Sequence, residues 1–328
     1  MTKARENSDY TGLAADIVAG DTAARAGRKN WIINGDFQIS QRGAFSSATS
    51  ITASPVYYLD RFRCKHHNIS GTVVRQTNQT VNGKVTNTMM LTATAGSNGR
   101  VEAVQIIEDE VFNGQTVTIS AWVISNSASA RLIIHQNGAN IQTSSNAHTG
   151  GGAYELLKAT VTCASNAGQL HIYTGIQAAG TGNVAIANGD YFKMAFLQLE
   201  LGSVATDFEH RSYGETLVDC QRYYRRIQGN TLNFTQGING LYNSANGLLA
   251  SWDFDTPMRA APTFGWTGTV ANYDIEPYDV APAAMSTFAV SADSLCINVT
   301  DNTSRTVGTA GRIVADTAAG YFDVDAEL

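Results

Sequence analysis

The sequence predicts a mainly β protein with an N-terminal arm, a large β-sandwich or barrel, one linking helix and a small C-terminal β domain. Three observations predict it. Strand-like runs recur along the chain, among them QTVTISAWVIS, ARLIIHQNG and DYFKMAFLQLELG. Turn signals separate many of them: Asn82-Gly83, Asn98-Gly99, Asn113-Gly114, Asn137-Gly138 and Asn188-Gly189. No helical stretch lies between them to make a βαβ unit.

Composition agrees. The chain has 328 residues, 30 of them Gly and 5 Pro, with 15% charged and 43% hydrophobic residues. Glycine without a three-residue period excludes collagen, sparse charge excludes a long exposed coiled coil, and apolar content excludes global disorder.

Taken in order, residues 1–29 are polar and Ala/Gly-rich, and read as an attachment arm. Residues 30–211 form the large β domain. It opens on WIINGDFQI, read as a strand, an Asn34-Gly35 turn and a second strand. YYLDRFRCKH follows as one strand-like run. In QTVTISAWVIS, Val117, Ile119, Ala121 and Val123 share one face and Trp122 the other. In DYFKMAFLQLELG, simple alternation puts Phe192, Met194, Phe196, Gln198 and Glu200 on one side. The first half of that strand is apolar on both sides, which places it centrally and under cover.

Residues 212–228 read as the helix. Ser212 and Glu215 have capping-box spacing, and Leu217, Cys220, Tyr224 and Ile227 recur with helical period. Tyr223 and Tyr224 are expected to pack against the sandwich or to make a subunit contact. Residues 229–328 form the small domain. The charge shifts at this boundary: 19 Lys+Arg against 17 Asp+Glu through residue 228, then 3 against 11, a net of -8. That module is a poor nucleic-acid binder. Its acidic residues read as a solvated surface, or as a patch facing a metal or partner.

Catalytic motifs are missing. None of the six histidines forms HExxH or a His-Cys cluster, and there is no G-x-S-x-G, P-loop or dinucleotide fingerprint. Glu108-Asp109-Glu110 and the Asp253/Asp255 pair do not by spacing alone make a hydrolytic pair. No cofactor is expected. The one inorganic group the chain suggests is a structural Ca²⁺, for which Asp36, Asp60, Asp190 and Asp207 offer hard oxygens. Cys64, Cys163, Cys220 and Cys296 lie too far apart for zinc or redox spacing and read as buried thiols. No run reaches the length of a membrane span or signal peptide. Carbohydrate binding needs a stacking ring. Tyr57, Tyr58, Trp122, Tyr154, Tyr173 and Trp252 are the rings available, each open to a core, interface or ligand role.

Three segments resemble structural proteins of tailed-bacteriophage particles. They are N30-W-I-I-N-G-D-F-Q-I-S-Q-R-G43 with Tyr58-Leu59-Asp60-Arg61-Phe62, the closing Gln198–Tyr224 segment, and Met258-Arg259-Ala260-Ala261-Pro262. The first two bracket a unit similar to a carbohydrate-binding-module jelly roll. The resemblance implies a non-enzymatic tail-fiber or head-fiber type appendage on the virion exterior, made in the host cytoplasm. It implies a homo-oligomer, with a trimer favoured, docked on other virion proteins through residues 1–29. From the residues themselves, Tyr58, Trp122, Tyr154, Tyr173 or Trp252 would be the rings that meet bacterial surface polysaccharide. It implies Phe37 as a core anchor and places Phe208 at the exit of the final strand; Phe37 and Phe208 join Tyr223 and Tyr224 as residues expected to have a structural or subunit-contact role. No nucleic-acid partner or membrane insertion is expected. A purely structural head-fiber or decoration protein and a tailspike-type glycan depolymerase are the alternatives.

Overall fold

A computed structural model describes residues 28–108, 110–228, 237–317 and 319–327. The arm assigned to residues 1–29 lies almost wholly outside the described residues. The remainder is mainly β, with two face-to-face antiparallel sheets making a jelly-roll sandwich.

The first sheet has the order β1 (Thr49–Ser50), β4 (Gly71–Val81), β5 (Lys84–Ala93), β13 (Tyr191–Leu201), β7 (Thr116–Ser125) and β10 (Tyr154–Thr162). The second has the order β2 (Val56–Leu59), β3 (Phe62–His67), β6 (Ser97–Ile107), β11 (Leu170–Ile176), β8 (Ala130–Gln136) and β9 (Ile141–Ser144). Strand β12 (Val184–Ile186) also pairs with β6. One core fills the space between the sheets. β7 sends Val117, Ile119, Ala121 and Val123 into it, as its alternation predicts, opposite Leu132 and Ile134 of β8 and Leu170 and Ile172 of β11. Phe37 is wholly buried there, 5.1 Å from the Phe62 ring.

Four local expectations are corrected. WIINGDFQI contains no strand. Side chains satisfy part of its backbone and β13 another part: Gln105 accepts from Ile33 N–H at 2.8 Å and donates to the Ile33 carbonyl at 2.9 Å, Asn34 Oδ1 accepts from Ile39 N–H at 2.9 Å, and Trp31 N–H donates to the Leu199 carbonyl at 2.9 Å. Gly35 sits so close to β13 that a Cβ would lie 2.1 Å from the Leu197 carbonyl oxygen. YYLDRFRCKH is two strands, β2 and β3, joined at the buried Asp60-Arg61 turn. Asn98-Gly99 lies inside β6, pressed against Ile69 and the His67 carbonyl. The Asn82-Gly83 signal is a hairpin turn, with Val81 opposite Lys84.

The fourth correction concerns β13. Between Ala195, opposite Trp122, and Gln198, opposite Ser120, the strand bulges, and Phe196 takes a φ of 56°. Parity reverses there. Phe192, Met194, Leu197 and Leu199 all face the core, while Phe196, Gln198 and Glu200 face outward. The strand is interior in its sheet, as expected, but its burial on both sides runs from Met194 to Glu200, while Tyr191 and Lys193 in its first half are half-buried.

Helix α1 is Tyr213–Gln221, and both halves of the Ser212/Glu215 capping box form. It is shorter than 212–228. After Gln221 the chain becomes β14 (Tyr224–Gln228), which pairs with β22 (Tyr321–Asp325). Tyr223 and Tyr224 therefore belong to a β junction. β17 (Thr263–Trp266) completes that sheet. The larger sheet beside it has the order β18 (Tyr273–Glu276), β21 (Ala310–Ala315), β15 (Gly237–Ser244), β16 (Gly247–Asp253), β20 (Ser294–Thr300) and β19 (Ala284–Val290). A second core forms here around Tyr242, Tyr273, Ile297 and Phe322.

The small module is fastened to the sandwich by charge. Arg42 pairs with Asp325 at 2.9 Å and Arg61 pairs with Glu327. Arg42 stacks 3.6 Å above Tyr224, and Arg61 3.4 Å above Tyr223. The two tyrosines are thus buried within one chain and offer no surface to a second subunit. Part of the acidic excess is likewise an internal joint: Asp323 receives Arg226 at 3.1 Å and the Tyr224 hydroxyl at 2.8 Å.

Candidate functional site

The outward face of the first sheet carries a groove of about 120 Å³. Its wall begins with Trp122 on β7. Cross-strand neighbours of Trp122 are Leu156 on β10 and Ala195 on β13. The β13 bulge adds the Phe196 ring, and Phe208 lies 5.1 Å from it. Asn82 and Lys84 from the β4–β5 hairpin, Ser120, Thr206 and Asp207 supply polar lining. The groove therefore joins an apolar wall to a hydrogen-bonding rim, which suits a ligand with both apolar and hydroxyl faces.

The segment after β13 is held over the sheet by two buried side chains. Glu200 accepts from Thr206 N–H at 2.9 Å and from the Thr206 hydroxyl at 2.8 Å. Gln198 donates to Glu200 at 3.0 Å and accepts from Glu209 N–H at 2.8 Å. Both residues face outward because of the bulge. Without it they would enter the core, where an acid and an amide lack partners.

The six rings named from the sequence do not converge, and Tyr57 lies at the junction with the small module, with Arg42 5.3 Å from its ring. Trp122 lines the groove. Tyr154 is on the same face, in the cluster with Val81, Phe196 and Phe208, and Lys193 lies 5.8 Å from its ring. Burial, aided by Tyr191, pushes the Tyr154 hydroxyl up to about 12. Tyr173 is on the other sheet, 6.1 Å from His135 and 6.3 Å from His171. Trp252 is in the small module, packed edge-on against Phe254 at 5.5 Å. Tyr58 is a core residue whose hydroxyl donates to the Ser50 carbonyl at 2.8 Å, so it presents no ring face to a ligand. Phe196, Leu156 and Thr206 were not legible as site residues. The even spacing of Gln198 and Glu200 was the available hint that β13 has a polar outer half.

The carboxylates are also dispersed. Glu108 pairs with Arg259 at 3.0 Å. Asp253 and Asp255 are exposed on either side of buried Phe254. Asp60 is buried and accepts from Gln41 N–H at 2.7 Å and from its side chain at 2.6 Å, while burial raises its pKa. Asp190 accepts from Ala187 N–H at 2.9 Å. Asp36 lines a separate, smaller cavity and Asp207 the groove. Among the described residues no three His, Cys, Asp or Glu side chains gather as a metal site, so the four aspartates do not form a common cage. Cys64, Cys163 and Cys220 are buried free thiols, whereas Cys296 is half-buried. No helix among the described residues is long and apolar enough to cross a membrane.

No protein-family model matches the chain, and no curated protein does. Solved structures give low-scoring likenesses. The enzymatically active domain of bacteriophage CBA120 tailspike protein 4 has 12% identity and a TM-score of 0.36 over 53% of this chain. This chain spans 21% of that structure. TmCBM61, solved with beta-1,4-galactotriose, has 12% identity and a TM-score of 0.28, covering 53% of this chain and 99% of that one. The family 11 carbohydrate-binding module of a Clostridium thermocellum cellulosomal cellulase has 10% identity and a TM-score of 0.30, covering 49% and 98%.

Proposed function

We propose that the chain is a non-enzymatic appendage of a bacteriophage particle whose sandwich binds bacterial surface glycan in the Trp122 groove. The observation that carries this reading is the junction of the Trp122, Leu156, Phe196 and Phe208 wall with the Asn82, Ser120 and Thr206 rim. A sugar ring has one relatively apolar C–H face for the wall and equatorial hydroxyls for the rim. A binding role is favoured over cleavage because, among the described residues, Asp207 is the one carboxylate lining the groove. Glycoside hydrolysis uses two, about 5–9.5 Å apart. In this reading residues 1–29 attach the chain to the particle, and a homotrimer multiplies weak individual sites through effective concentration.

The test is a glycan array probed with the full chain as its native oligomer, alongside Trp122→Ala. Binding lost in the variant, with an unchanged thermal transition, supports the groove. No binding at high valency, or equal binding by both proteins, overturns it.

A further inference from the structure

The outward face of the first sheet continues past the Trp122 groove. Side chains two residues apart on a strand share a face, about 6.7 Å from one another. One such step from Leu156, Trp122 and Ala195 leads to a row made by Tyr154 of β10, Ile124 of β7, Lys193 of β13 and Met90 of β5. Trp122, Tyr154 and Phe208 all pack against Val81, Ala195 and Phe196, so the apolar wall of the groove is shared with this row. The step is comparable with the advance from one ring to the next along a polysaccharide.

Lys193 is a half-buried cation without a counter-ion. Its Nζ donates to Gln76 Oε1 at 3.2 Å and to Gln79 Oε1 at 3.3 Å, and both are neutral amide oxygens. The glutamines are themselves tied down: Gln76 Oε1 accepts from the Thr88 hydroxyl at 3.5 Å, and Gln79 Nε2 donates to the Thr77 carbonyl at 3.0 Å. They orient the ammonium and do not neutralise it. An ammonium has three N–H donors, so one is left over. Burial lowers the pKa of Lys193, and no neighbouring carboxylate raises it. Beside it, 5.8 Å from Nζ, is the Tyr154 ring, whose hydroxyl is buried with no hydrogen-bond partner among the described residues.

The acids of this face stand elsewhere. Glu200 is buried and engaged by Thr206. Asp207 belongs with Gln198, which donates to its carbonyl at 3.4 Å, and Gln198 and Lys193 lie on opposite sides of Ala195 along β13. Lys84 lines the groove together with Asp207, one charge of each sign. The face is therefore polarised, with an uncompensated ammonium at its Tyr154 end.

We propose that the groove takes an acidic polysaccharide, with one sugar ring on Trp122 and the carboxylate of the adjoining uronate held by Lys193 Nζ and the Tyr154 hydroxyl. This rests on the glycan-binding reading of the groove and adds its specificity. A carboxylate has one oxygen for each of the two donors, and its charge matches the ammonium. A nucleic acid fits less well, because it needs a basic track along several phosphates.

The experiment is calorimetric titration of the full chain with hexamers of galacturonate, glucuronate and mannuronate, each as the free acid and as the methyl ester. The neutral sugars that bind on the array and a thymidylate dodecamer are titrated alongside. The ester keeps the rings and linkages and removes only the charge. At least one free acid is expected to bind, and its ester about tenfold more weakly. Lys193→Met brings the acid down to the affinity of the ester and leaves the ester unchanged. Tyr154→Phe weakens the acid more than the ester, and raising salt weakens the acid alone. Trp122→Ala weakens both forms, because the ring platform serves either. Far-ultraviolet dichroism and thermal unfolding confirm that each variant is folded. Equal binding of acid and ester, wild-type affinity for the acid in Lys193→Met, or a thymidylate dodecamer that matches the acid overturns the charge selection. So does binding of neutral sugars alone; in that case loss of binding in Trp122→Ala still upholds the glycan groove. Binding of no sugar of any kind overturns both.

Discussion

Arg61 and Glu327 form an ion pair in which each side chain is only 2% exposed. Arg61 turns the β2–β3 corner of the sandwich, and Glu327 follows the last strand of the small module. The guanidinium also donates to the Ile106 carbonyl at 2.8 Å and lies over the Tyr223 ring. Three kinds of partner therefore surround one buried charge. This joint is the reason that the acidic composition of the last hundred residues is not simply a solvated surface.

Removing one member of the pair leaves the other buried without a counter-ion, which costs about 3–5 kcal/mol. Glu327→Gln is expected to lose stability on that scale in urea denaturation. Asp293→Asn removes the same formal charge from an exposed position and is expected to stay within about 0.5 kcal/mol of wild type. Equal effects of the two substitutions would contradict the joint.

Gly35 packs against β13, and its carbonyl accepts from Leu197 N–H at 2.9 Å. Gly35→Ala inserts a carbon where the Leu197 carbonyl oxygen already stands. A backbone neighbour cannot rotate away, so the loss is expected to reach about 3 kcal/mol or more. A chemical denaturation midpoint unchanged by the substitution would show that the approach is looser.

His171 is held at about 4, below its usual 6.5. As pH falls, the unfolded chain takes up this proton before the folded chain does. The associated stability is fully present above about 6.5 and is lost as pH falls toward about 4. Histidine NMR titration checks the value directly.

All four thiols are free, and three are buried. Burial raises the pKa of Cys64, Cys163 and Cys220, which suppresses the reactive thiolate. Ellman's reagent is expected to titrate Cys296 in the folded protein and all four thiols after denaturation. Rapid reaction of more than one thiol in the native state would contradict the burial.

Much of the fold was legible because strand alternation and turn chemistry are local. The inward set of β7, the Asn82-Gly83 hairpin and the Ser212/Glu215 cap needed only neighbouring residues. The errors came where distant groups intervened. Gln105, Asn30 and the β13 backbone satisfy the Trp31–Gly35 main chain that otherwise reads as a hairpin. β22 captures Tyr224–Gln228 into a sheet, although its spacing continues that of the helix.

The sequence by itself determined a β-rich chain with apolar strand faces, polar turns and an acidic final module. Only the tertiary structure decided which rings meet. Trp122 joins Phe196 and Phe208 because the β13 bulge reverses side-chain direction, while Tyr173 is sent to the opposite sheet and Tyr58 to the core. The physical reason is that periodicity specifies which way a side chain points from its own strand. Its companions depend on register, bulges and buried partners contributed from far along the chain.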